Sequence, residues 1–100
     1  MKVQMYSINF EASEQLKSFI QQRLNKLETF YDRILDGEVF IKDNSSQSGT
    51  NNKEVEVRLF VPGTTLFSQE NADSFEAATD AAVDAMRRQL KKLKDKQTAH

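Results

Sequence analysis

Apolar and polar residues alternate from the start of the chain. Over KVQMYSIN (2–9), Val3, Met5 and Ser7 fall on one side of an extended segment and Lys2, Gln4, Tyr6 and Ile8 on the other. This period of two predicts a strand. The period then lengthens: Leu16, Ile20, Leu24, Leu27 and Tyr31 recur at three- and four-residue spacing, which places them on one stripe of a helix running to about Phe30. Ser13 is placed to cap that helix by accepting from an unpaired first-turn N–H, and Glu14 sits at the positive end of the dipole.

Asp36-Gly37 interrupts the helical period, and EVFIK (38–42) returns to alternation, with Val39 and Ile41 set against Glu38, Phe40 and Lys42. The polar stretch NSSQSGTNNK (44–53) is longer than a tight hairpin connection and predicts a loop. EVEVRLFV (54–61) gives the clearest strand pattern, Val55, Val57, Leu59 and Val61 inward and Glu54, Glu56, Arg58 and Phe60 outward. Pro62-Gly63 suits the centre of a type II turn, and TTLFSQENA (64–72) returns as a fourth strand. Asp73 is expected to cap a second helix, Glu76 to complete a capping box, and Phe75, Ala78, Ala82, Met86, Leu90 and Leu93 to form its buried stripe.

The order β-α-β-β-β-α predicts an α+β fold. A helical crossover makes the first two strands parallel, and short connections make the last three an antiparallel meander, giving a four-stranded mixed sheet. Both helices carry a single apolar stripe, so both are expected on one sheet face, a layout like that of a double-stranded-RNA-binding domain. At 100 residues and 38% hydrophobic content, a single domain over 1–100 is expected, with residues 97–100 frayed.

Composition narrows the chemistry. Cysteine is absent, which excludes disulfides, thiolate nucleophiles and Cys-based metal sites and fits a cytoplasmic location. No window approaches the roughly 18 apolar residues of a membrane span, and MKVQMYSINF lacks the features of a signal peptide, so a soluble protein with no membrane partner is expected. The net charge of −1 conceals a segregated distribution. Residues 1–50 carry six basic and seven acidic groups, residues 51–86 two and seven, and residues 87–100 six and one.

With Leu90 on the buried seam and about 100° per residue, Arg88 and Lys92 point to the opposite pole, while Arg87, Lys91, Lys94 and Lys96 spread over the flanks. Arg23 and Lys26 stand one turn apart on the first helix, on a flank shared with Phe19 and Phe30. Cations at a helix C-terminus suit the dipole, and Asp84 is placed to pair with Arg88 at i+4. A solvated helix end is therefore one reading. Six cations within residues 87–96 exceed what one dipole needs, and an anionic partner is the other.

The stretches EASEQLKSFIQQRLNKLETFYDRI (11–34) and SFEAATDAAVDAMRRQLKKLKDK (74–96), in this element order, resemble the short ribosome hibernation-promoting factor and ribosome-associated inhibitor family, the sigma-54 modulation proteins. The likeness covers essentially the whole chain and is most specific in KLETFYDRI and RQLKKLKDK. It implies binding to the small ribosomal subunit in the channel used by mRNA and the anticodon ends of tRNA. Basic helix faces would contact 16S rRNA, and translation would be silenced under stress or in stationary phase. By position, Arg23 and Lys26 match the family's basic residues in the first helix, and Arg88, Lys92, Lys94 and Lys96 those in the second. Arg87 and Lys91 are additional cations here that add to the local field. Two features depart from the pattern: the exit MYSINF, where a glycine or basic residue is common, and the long 44–53 loop. Ending at His100, the chain is expected to lack the dimerisation domain of the long form and the extended tail of the inhibitor type, and to be a monomer when free.

Other classes fare less well. The only histidine is His100, and the only glycines are Gly37, Gly49 and Gly63, which cannot form a phosphate-binding loop. Glu54 and Glu56 share a strand face about 7 Å apart, but a solvated sheet face accounts for them. No enzymatic activity, cofactor, metal or small-molecule substrate is expected. A free-standing double-stranded RNA-binding module should bind naked duplex, which the acidic balance disfavours. A protein-interaction adaptor would need Phe40, Phe60 and Phe67 exposed as one patch, whereas strand aromatics ordinarily pack in the core or across strands.

Overall fold

Strand register decides what this sheet presents on each face. The computed structural model describes residues 1–44 and 51–98, the side chains of residues 97 and 98 excepted. Its elements are β1 (Lys2–Ile8), α1 (Glu14–Phe30), β2 (Asp36–Asp43), β3 (Lys53–Val61), β4 (Thr64–Ala72) and α2 (Phe75–Thr98). The strands lie side by side in chain order, β1 parallel to β2 and the other pairs antiparallel. Pairing lines up Met5, Val39, Val57 and Ser68 in one row beneath the helices, flanked by the rows Val3, Gly37, Leu59, Leu66 and Ser7, Ile41, Val55, Glu70. The expected α+β architecture, a mixed sheet with two helices on one face, is the observed one.

The helical stripes bury as the periodicity predicts. Ile20 and Leu24 of α1 and Ala78, Ala82, Met86 and Leu90 of α2 are wholly buried, in one cluster with Val39, Ile41, Val55, Val57 and Leu59. α2 lies over β3 and β4 and beside α1. Polar Ser68 is tolerated in the central row because its hydroxyl donates to the Ala82 carbonyl at 3.0 Å. Gly37, expected as a breaker, is the second residue of β2 and sits inside a core row. A methyl group there would meet Leu59 Cδ2 at 3.1 Å and Met1 Sδ at 3.3 Å, so the site has room only for glycine unless its neighbours shift.

Local chemistry sets the element ends. Ser13 Oγ accepts from Leu16 N at 3.1 Å, as expected for the α1 cap. The cap of α2 lies one residue later than expected: Ser74 Oγ accepts from Ala77 N at 3.1 Å. Asp73 is instead engaged by the segment just before β3, its Oδ1 accepting from Asn51 N at 3.1 Å. With Ser74 as cap, Glu76 occupies the first turn one position short of a capping box. Gly63 has φ +86, as the second central residue of a type II turn requires. Asn9 has φ +73, and asparagine tolerates that left-handed conformation better than most residues.

One further expectation needs amendment. Glu54 is only 9% exposed, not solvated, because Lys42 Nζ at 3.8 Å and Asn44 Nδ2 at 3.4 Å cover it. Helix α2 runs to Thr98, and His100 lies outside the described residues. Of the 44–53 loop, residues 45–50 also lie outside them. Among the described residues, no helix is long and apolar enough to cross a membrane.

Candidate nucleic-acid interface

Where α1 and α2 run together, a three-residue offset on one helix meets a matching flank of the other. Arg23 and Lys26 project from the same side of α1. On α2, Asp80, Val83, Arg87 and Lys94 fall within one flank at about 100° per residue. Arg23 Nε donates to Asp80 Oδ1 at 2.8 Å, and its guanidinium lies 4.3 Å from the centroid of Phe19. The side chain is thus held between an ion pair and an aromatic face. Farther along, Phe30 receives two cations, with Arg87 5.4 Å and Lys94 5.1 Å from its ring centroid. Lys94 Nζ also donates to the Phe30 carbonyl at 3.3 Å, which satisfies an orphan acceptor at the C-terminal end of α1.

These contacts frame a cleft of about 390 Å³ lined by Arg23, Lys26, Leu27, Thr29, Phe30, Val83 and Arg87. Its floor is apolar and its rim cationic. Among the described residues, Asp80 neutralises Arg23, whereas Lys26 and Arg87 have no carboxylate partner. The uncompensated charge lies over a low-dielectric floor, where an anion is attracted more strongly than on open surface.

The expected site residues divide into two groups. Arg23, Lys26 and Arg87 line the cleft, and Lys94 adjoins it across Phe30. Arg88, Lys91, Lys92 and Lys96 stand exposed on the last turns of α2 and extend the positive surface outward. Arg88 pairs with Asp84 at 2.7 Å as its spacing predicted; both side chains are more than half exposed, so the pair is weakly held. Arg87 takes a central position, lining the cleft and facing Phe30. Asp80 was not singled out by sequence, because 57 residues separate it from Arg23 and nothing local marks the pairing. On the opposite face, Phe67 is 47% exposed, while Phe40 and Phe60 are half-buried.

The chain is similar to known proteins in sequence and in fold. A ribosome hibernation promotion factor of Deinococcus radiodurans is 30% identical over 95 residues, covering 92% of this chain and 50% of its own length. The chain therefore spans about half of that relative. A ribosome hibernation promoting factor of Pseudomonas putida is 30% identical over 97 residues, covering 97% of this chain and 90% of its own. The solved structure of a ribosomal subunit interface protein from Coxiella burnetii superposes with a TM-score of 0.84 at 22% identity, over 95% of this chain and 99% of that one, a likeness of fold. A sequence profile described as sigma 54 modulation protein / S30EA ribosomal protein matches residues 3–98, and the chain belongs to that family.

Proposed function

We propose that this protein is a ribosome hibernation factor. It binds the small ribosomal subunit through 16S rRNA in the channel of mRNA and tRNA anticodon ends, and inhibits translation under stress or in stationary phase. The observation that carries this reading is the α1–α2 face. In a chain of net charge −1, it gathers Arg23, Lys26 and Arg87 around one cleft, with Lys94 beside them and Arg88, Lys91, Lys92 and Lys96 beyond. Cations so spread match phosphates placed by folded RNA better than the edges of bases, so recognition rests on shape and phosphate position. The mechanism is occupancy. A single rigid domain, monomeric when free and cytoplasmic, fills the channel and excludes mRNA and tRNA with no chemical step, cofactor or metal.

The test is co-sedimentation with isolated small subunits at about 150 mM salt, near physiological ionic strength, alongside a naked RNA duplex. Stoichiometric binding to the subunit without binding to the duplex is expected. Equal binding to both would identify a general duplex-binding module, and binding to neither would leave the cations a solvated helix face.

A further inference from the structure

The sheet face turned away from the helices carries side chains that the cleft does not use. Register sets Tyr6 beside Phe40, and places Arg58 between Glu38 and Phe67. The rings of Tyr6 and Phe40 stack at 5.1 Å and 19°. The Arg58 guanidinium then lies 4.9 Å from the Phe40 centroid and 6.0 Å from that of Phe67. One unbroken line of π contacts therefore crosses all four strands. Both of its ends are open, Tyr6 being 41% and Phe67 47% exposed.

The charges around this stripe are mostly negative. Asp36, Glu38, Glu54 and Glu56 face Lys2, Lys42 and Arg58. Glu54 is engaged by Lys42 at 3.8 Å and Glu56 by Arg58 at 2.8 Å. Asp36 and Glu38 have no ion pair among the described residues, and with Lys2, Gln4, Gly37 and Phe60 they line a pocket of about 300 Å³. A surface that joins exposed aromatic faces to unpaired carboxylates repels phosphodiesters and suits a cation that can both stack and hydrogen-bond.

We propose that this face docks an arginine-rich, extended segment of a partner protein. Its guanidinium groups stack on Tyr6 and Phe67 and pair with Glu38 and Asp36. Arg58 already makes the same contact within the fold, lying against two rings with a carboxylate at its edge. Arginine is selected over lysine because a planar fork can lie flat on a ring while its N–H groups reach a carboxylate. The open ends sit on opposite edges of the sheet, so the occupant is a segment that crosses the strands. This surface is independent of the rRNA reading, and together the two faces let the protein bridge RNA and a basic protein.

The experiment is an NMR titration of the full chain with a short peptide of alternating arginine and glycine, its lysine counterpart and a single-stranded RNA oligonucleotide. The arginine peptide is expected to shift amides around Tyr6, Glu38 and Phe67 and to bind more tightly than the lysine peptide. Tyr6→Ala with Phe67→Ala should weaken it about tenfold, as loss of two stacked cation contacts implies. Glu38→Gln, which leaves both rings in place, should weaken it in the same direction. Equal affinity for the two peptides, binding indifferent to these substitutions, shifts centred on the acidic positions of α2, or preferential binding of the RNA to the stripe would each overturn the proposal.

Discussion

Two buried hydroxyls, Ser68 on β4 and Thr79 on α2, have opposite energetic signs. Ser68 donates to the Ala82 carbonyl, whereas the Thr79 hydroxyl has no hydrogen-bond partner among the described residues although the residue is wholly buried. A polar group taken out of water without a partner costs about 1–3 kcal/mol, while a satisfied bond contributes about 1 kcal/mol net. Thr79→Val, which keeps the branched shape, is therefore expected to raise the unfolding free energy by about 1 kcal/mol. Ser68→Ala should lower it by a similar amount. Urea denaturation at constant slope reads both, and a destabilised Thr79→Val would mean that the hydroxyl is satisfied after all.

At the scale of the element, the start of α2 shows where sequence suffices and where it does not. Asp73 and Ser74 are both good caps, so composition alone cannot choose between them. The choice is made by the Asn51 N–H, which takes the Asp73 carboxylate and leaves Ser74 to the helix. Ser74→Ala should cost about 1 kcal/mol and speed amide exchange at Ala77. Asp73→Ala should cost less and act at Asn51, and the reverse pattern would restore Asp73 as the cap. Period was enough to place both helices and the first three strands, because each buries one face, and the Pro62-Gly63 turn placed the fourth. Arg23–Asp80 and Tyr6–Phe40 were not legible, since each depends on how distant elements pack and register. The eight candidate cations could be chosen by sequence, but their division between cleft and outer arc needed the angle at which the helices meet.

For the whole molecule, the outward group allows binding to be tested apart from folding. Arg88 and Lys92 are exposed, and Arg88 gives up an exposed pair with Asp84, worth at most about 1 kcal/mol. Arg88→Glu with Lys92→Glu should keep the melting transition close to that of the parent and sharply weaken subunit binding. If about six phosphates are contacted, parent affinity should fall roughly 10³-fold between about 50 and 200 mM salt, and the double variant should show a shallower slope. Unchanged binding by the folded variant would move the contact surface elsewhere. Lys94 offers no such separation, because it also closes the end of α1. The position of α2 over β3 and β4 has a consequence during synthesis. As the chain leaves the ribosome, the apolar rows of these strands remain uncovered until this last element emerges. The segment that covers these strands also carries six of the fourteen basic residues. A nascent chain therefore gains the cover of β3 and β4 and this cluster of cations in the same step.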